Sequence, residues 1–250
     1  MGKAKQIILK IIPREIANEF VKKNHYSGKV VNNSILQFGC FIDNQLHGVM
    51  QFGSPMDKRK VLPLVADSNW NEMLELNRMA FDEYLPKNSE SRCIAIAIKL
   101  IKKNAPHIKW ILSYSDGTQC GDGTIYRASG FHLTGIKKNT TILEWNGKII
   151  ADKTLNNANY KKNGFSAGKA KKEGAKPLQG FQLRYIFLID KSCKITVPIL
   201  PFSAIDEYGA GMAKGKKITL KERQRAHEVN IDKRNAPCIE TGGANPTRAL

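Results

Sequence analysis

"MLELNRMAFDEYLPKNSESRCIAIAIKLIKKNAPHIKWILSYSDG", residues 73–117, decides the fold. Its opening, "MLELNRMAF", reads as a strand with Leu74 and Leu76 facing inward and Met79 and Phe81 continuing that side. The centre is the clearest helix in the chain. Asn88 or Ser89 stands where a cap is needed, and Glu90 falls in the first turn. Ile94, Ala97, Ile98 and Ile101 form an apolar stripe, and Lys102 and Lys103 occupy the last turn before Pro106. "IKWILSYS" is then a buried strand, as its continuous apolar run indicates.

The same reading extends outward. "QIILKIIP" is a short first strand ended by Pro13, and "REIANEFVKKNHY" carries Ile16, Ala17, Phe20 and Val21 at helical spacing. "SILQFGCFID" and "LHGVMQFG" read as a hairpin turning at "NQ". "TIYRASGF" is a short helix stopped by Gly130, and "FHLTGI" and "FQLRYIFLID" supply two more strands. The order is β-α-ββ-β-α-β-α-β-β. Between the last two strands, residues 137–176 hold ten lysines against three acids. This segment reads as a basic insertion or long loop without a second core. Residues 1–208 are expected to form the main domain, with 209–250 as a basic, partly flexible extension. Within the extension, "ITLKERQRAHEV" reads as a basic helix with Thr219 as its cap.

Forty Lys and Arg against 22 Asp and Glu leave a net charge of +18 over 250 residues. So large an excess points to a polyanionic partner, with nucleic acid first and a membrane surface second. The apolar run Ile7–Ile12 is far too short to span a membrane. The five cysteines are scattered and form no CxxC pair, which argues against a zinc ribbon or a disulfide framework and fits a reducing cytoplasm.

The element order and the Tyr126-to-Phe131 stretch resemble an N-acetyltransferase of the GNAT type, a mixed α/β sheet splayed at its centre and flanked by helices. A wider set of blocks stands in one order: "NHYSG", "FGSP", "ELNRM", "PKNSES", "SYSDGT", "YRASGF" and the late "VPILPF". Together they resemble the Mom family of phage DNA-modification proteins, a divergent branch of that fold. The resemblance implies an enzyme acting in the host cytoplasm on adenine N6 in double-stranded DNA. It would make an acetamido (carbamoylmethyl) adenine that blocks host restriction. It implies acetyl-CoA or a related acyl-CoA as donor, and iron has a place in the family, although no ligand cluster is evident in the sequence.

On that reading, the acyl-CoA lies against Met79, Phe81 and the turn Lys87, Asn88, Ser89, Glu90 and Ser91, at the opening amides of a helix. The turn lacks the fold's glycine-rich signature. Ser113, Tyr114 and Asp116 stand at a strand's carboxyl end, where such sites form. Asp116 would accept or orient a proton of N6, or else merely cap the turn before Gly117. Tyr126 would protonate a departing thiolate, or else be a half-buried core ring. His25 and Tyr26 would cover the acceptor base, or else pack on the sheet. Asn77 and Arg78 interrupt an apolar strand, and a buried Arg needs a carboxylate or a substrate phosphate. Lys58, Arg59 and Lys60 suit phosphate contacts or a solvated loop. Two alternatives stay open: an ordinary acetyltransferase for a protein or small-molecule amine, and a non-catalytic DNA-binding protein on the same fold.

Overall fold

A computed structural model describes residues 3–225. In chain order the elements are β1 (Ile8–Ile11), α1 (Arg14–Asn24), β2 (Ser34–Ile42), β3 (Gln45–Gly53), a single helical turn α2 (Lys58–Val61), β4 (Met73–Phe81), α3 (Ser89–Asn104), β5 (Trp110–Gly117), α4 (Thr124–Ala128) and β6 (His132–Lys138). The chain then leaves the sheet through β7 (Ile142–Trp145), β8 (Lys148–Ala151), α5 (Asp152–Leu155), α6 (Ala158–Lys162), α7 (Ala167–Lys172) and β9 (Lys176–Pro177). It returns as β10 (Phe181–Leu188). The main sheet has the order β1-β2-β3-β4-β5-β10-β6. Every neighbouring pair in it is antiparallel except β4 and β5. This is the mixed, helix-flanked sheet that the sequence predicts. Among the described residues no helix is long and apolar enough to cross a membrane.

The β5 run is continuously apolar because both of its faces are covered. Ile111 points into the main core with Ile94, Ala97, Ile98 and Ile101 of α3. Trp110 and Leu112 point the other way, onto Val61, Leu64 and Ile186. Beside that second layer, α1 lays Ala17 and Val21 on Val49 and Ala80. Ile16, expected on that stripe, is exposed instead. The β2–β3 turn falls at Asp43–Asn44, one residue before the expected pair, with both φ angles positive at 50° and 61°. Those angles suit the right-handed twist of a hairpin, and Asp and Asn tolerate them best after glycine. Asn88 precedes α3 with a φ of 71°, but its side chain makes no capping bond.

Residues 137–176 correct the expectation of a loop without a core. A three-stranded sheet, β8-β7-β9, closes with α5 and α7 over Leu143, Leu155, Ala167, Ala170 and Ala175. The β7–β8 hairpin turns on Asn146–Gly147, with φ angles of 48° and 70°. The subdomain leaves and rejoins the main sheet at one point, where Lys138 faces Phe181. Buried Asn139 clamps that neck. Its Nδ2 donates to the carbonyls of Ile142 and Leu178, at 2.8 and 2.9 Å, and its Oδ1 accepts from the amides of Thr141 and Ile142.

The main unit runs to Lys217, beyond the expected boundary at 208, and Ala210 and Met212 are buried in it. The second unit begins at Ile218. There Thr219 N–H donates to Glu222 Oε2 at 2.7 Å and Glu222 N–H returns a bond to Thr219 Oγ1 at 3.3 Å, the reciprocal box that opens a helix. The remainder of the expected helix and the end of the extension lie outside the described residues.

Asp122 ties the β5–α4 loop to the rest of the main unit. Its carboxylate is fully buried, with Oδ1 3.0 Å from Arg127 Nη2 and Oδ2 accepting from Met212 N–H at 3.0 Å. Its own carbonyl accepts from Tyr185 Oη at 2.5 Å. Removing one partner of a buried ionic group leaves the others unpaired in a low dielectric. Asp122→Ala is therefore expected to cost about 3 kcal/mol, read as a lowered urea midpoint. Asp122→Asn should cost less, because one oxygen is kept.

Candidate active site

The site begins where a ladder stops. β4 and β5 pair in parallel from Met73–Trp110 to Leu76–Ser113 and no further, although both strands continue. On the other edge of β4, Gln51 faces Arg78 and Phe52 faces Leu76, so Asn77 is an extra residue in the ladder. Such a bulge bends its strand and re-aims its side chains. The two strands part, and a cavity of about 620 Å³ opens between them. Tyr26 and Lys29, from the segment after α1, line it together with Glu75, Asn77 and Arg78 of β4 and Tyr114 and Asp116 of β5. The far wall comes from the insertion, through Ile142, Ile149 and Lys153 among others.

Asp116 has two jobs, one for each oxygen. Oδ1 accepts from the amides of Thr118 and Gln119, at 2.9 and 3.2 Å, and so holds the turn after β5. Oδ2 accepts from Tyr26 Oη and Gln119 Nε2, each at 3.0 Å. Asp116 therefore caps the turn, as one reading of the sequence expects, and also lines the cavity. Burial raises the Tyr26 phenol pKa, and Asp116 raises it further, so Tyr26 stays protonated and donates.

His25 stacks on Tyr26 with ring centroids 4.3 Å apart. Its Nδ1 accepts from Ser27 N–H at 3.1 Å, which leaves the ring proton on Nε2. Burial, with Arg78 next in effect, lowers the imidazole from 6.5 to about 4. Among the described residues, Arg78 meets no carboxylate within ion-pair distance. Its Nε donates to Lys29 O at 3.1 Å and its Nη1 to Asn77 O at 2.8 Å, so two backbone carbonyls hold it beside the cavity.

Ser113 and Tyr126 lie together away from the opening. Burial pushes the Tyr126 phenol up to about 12. Ser113 offsets part of that rise, yet no hydrogen bond closes on its Oγ. Tyr126 is a buried ring rather than a half-buried one, packed 5.2 Å from the Tyr185 ring. Met79 and Phe81 pack against the main core, and the Phe81 ring fills the space where a side chain on Gly48 would stand. Asn88 and Ser91 open onto a second cavity of about 480 Å³ between α3 and the end of α4, with Lys5, Arg92 and Lys99. Ser89 Oγ is turned inward, donating to Pro86 O at 2.5 Å, and Lys87 and Glu90 line neither cavity. Lys58, Arg59 and Lys60 are also outside both cavities. Lys60 pairs with Asp57 at 3.2 Å, and Lys58 Nζ lies 5.5 Å from the centre of the Trp70 ring.

Glu75 is the residue that the sequence reading missed. Burial raises its carboxyl, against the opposing pull of Asn77, Arg78 and Lys153. The signal was an acid at an alternate position of "MLELNRMAF", two residues before Asn77. Two carboxyl groups in unlike surroundings, Glu75 and Asp116, thus line one cavity. Asn77 Oδ1 is buried without a partner and lines the same cavity.

The Mom protein family model matches residues 6–204. The chain belongs to the Mom protein family. The matched span runs across every residue that lines the cavity. The chain is 32% identical over 195 residues to the methylcarbamoylase mom of Escherichia phage Mu, covering 76% of this chain and 79% of that protein. It also overlaps solved acetyltransferases. The ribosomal-protein-S18-alanine N-acetyltransferase of Escherichia coli is 8% identical over 78% of this chain and 99% of that one, with a TM-score of 0.44. A Bacillus subtilis acetyltransferase in complex with CoA is 12% identical over 73% and 97%, with a TM-score of 0.42.

The iron implied by the resemblance does not fit this donor set. Among the described residues no three His, Cys, Asp or Glu side chains converge, and both Asp116 oxygens already accept two hydrogen bonds each.

The lowered His25 pKa fixes a sign. Between about 4 and 6.5 the unfolded chain binds a proton at this position that the folded chain does not. The contribution of His25 is complete above 6.5 and is lost as pH falls towards 4. Urea midpoints measured across that window should fall with acid, and His25→Gln should flatten the slope.

Proposed function

We propose that this chain places a carbamoylmethyl group on N6 of adenine in double-stranded phage DNA, within the host cytoplasm, and so shields that DNA from host restriction enzymes. Membership of the Mom family and the methylcarbamoylase name of its phage Mu relative support the reading. The observation that carries it is the shared cavity, in which an anchored Asp116 carboxylate and the Glu75 carboxyl face cationic Arg78 and Lys153.

Adenine N6 is a weak nucleophile because its lone pair is delocalised into the ring. A base must take its proton as the new bond forms. Asp116 Oδ2 is assigned that role, with Tyr26 Oη holding it in place and the neutral His25 ring backing Tyr26. Tyr114 and Asn77 face the base, and the unpartnered Asn77 Oδ1 would accept a hydrogen from an N–H group. Arg78, with Lys58, Arg59 and Lys60 farther out, is assigned to phosphates. Tyr126, held protonated beside Ser113, is assigned to protonate a departing thiolate. Acyl-CoA, when bound, supplies an acyl group activated as a thioester. Asn88, Ser91, Arg92, Lys5 and Lys99 of the second cavity would hold its phosphates at the start of α3. Plain acyl transfer would bond N6 to a carbonyl carbon, whereas this product bonds N6 to a methylene. That breaks a methyl C–H bond, so the reaction needs a two-electron oxidant beside the acyl-CoA. It also needs an ammonia-level nitrogen that forms the amide by displacing the thiolate whose departure Tyr126 would assist. The cation excess disfavours an ordinary small-amine acetyltransferase, which needs none.

Plasmid DNA from cells expressing the chain should yield deoxyadenosine heavier by one carbamoylmethyl group on nucleoside mass spectrometry, and should resist several unrelated restriction enzymes. Unchanged nucleosides from cells that contain folded protein and the phage's accessory factors would exclude the reading.

Asp116→Asn keeps the oxygen that holds the turn but removes the proton acceptor. It should lower the modified fraction on the order of 100-fold while the far-ultraviolet circular dichroism is unchanged.

A further inference from the structure

The insertion does more than carry charge. Its β7–β8 hairpin has two faces. Leu143, Trp145 and Ile150 turn into the subdomain's own core. The alternate positions, Ile142 paired with Ala151 and Glu144 paired with Ile149, form the other face, and all of these except Glu144 line the main cavity. Ile149 is 56% exposed there. The other exposed large apolar or aromatic side chains lining the cavity, Tyr26 and Tyr114, carry hydroxyls. An aliphatic, β-branched side chain is thus held in water at the rim of a polar cavity. The turn that follows the hairpin, α5, is tied to the main domain, because Lys29 Nζ donates to Thr154 Oγ1 at 3.3 Å and Lys153 Nζ lies 3.0 Å from Met56 Sδ. Lys148 stands next to Ile149, and although Lys169 pairs with Glu173 and Lys171 with Asp152, the segment's ten lysines still outnumber its three acids, an excess that suits phosphates.

An adenine paired in a duplex cannot reach a cavity of this kind unless it leaves the stack, and the gap it leaves favours its return. Apolar side chains that enter a base stack hold such gaps open. We propose that the β7–β8 hairpin is the DNA-opening element of this site: Ile149 fills the space vacated by the extruded adenine, while Lys148 and neighbouring lysines hold the flanking phosphates. This inference rests on the adenine reading above and adds the step by which a duplex substrate enters.

The probe is a duplex carrying 2-aminopurine in place of scattered adenines, whose fluorescence rises when the base unstacks. The parent chain should raise that fluorescence. Ile149→Ser should give about fivefold less rise at saturating protein, Ile149→Val should restore most of it, and an abasic site opposite the 2-aminopurine should erase the difference. Equal rises for the parent and Ile149→Ser, or no rise for the parent on DNA that it binds, would overturn the inference. Nucleoside mass spectrometry of the parent's plasmid DNA is read separately. If it shows modified deoxyadenosine while Ile149→Ser behaves as the parent does in fluorescence, the function stands and the role of the hairpin falls. If no DNA adenine is ever modified, the function itself falls.

Discussion

The arrest of the β4–β5 ladder after Leu76 and Ser113 is the constraint from which the rest of the site follows. Two parallel strands that stop pairing leave backbone N–H and C=O groups without partners, an expense that proteins do not carry without a use. The extra residue at Asn77 begins the separation, and the antiparallel partners on either side keep both strands in the sheet while they diverge. The cavity therefore has walls of sheet rather than of loop. Glu75, Tyr114 and Asp116 are held by the pleat, and rigid elements place reacting groups more closely than mobile ones.

The two carboxylates at and just after the end of β5 stand in unlike surroundings. Asp122 faces inward and spends both oxygens on structure, binding Arg127 and the amide of Met212. Asp116 spends one oxygen on the turn and leaves the other to a phenol at the cavity. The difference is in surroundings, not in residue type. A carboxylate sealed among donors fixes a fold, whereas one with a face towards solvent can exchange a proton.

The strand–helix–strand centre was legible because its periods are long and its apolar stripe unbroken: Ile94, Ala97, Ile98 and Ile101 can hardly be read otherwise. Asp116 was legible as a polar residue ending a buried strand. The insertion was not, since ten lysines and many Asn and Gly hid a core built largely of alanines and two leucines. "EWNGKI" did carry a hairpin signature, Asn-Gly between apolar runs, and that local cue outweighs composition. Glu75 was passed over because an acid inside a strand reads first as its wet face. Only the parting of the strands, a tertiary fact, shows that the wet face lines a cavity. The two carbonyls that hold Arg78 were not foreseen for a related reason, because pattern reasoning looks for opposite charges.

The neck at Asn139 gives the molecule a modular plan. One buried amide closes both strands of the connection, so the subdomain beyond it folds around its own small core without borrowing residues from the main one. Joined to the sheet at a single seam, the segment from β7 to β9 could be exchanged as one block without cutting a strand of the main sheet.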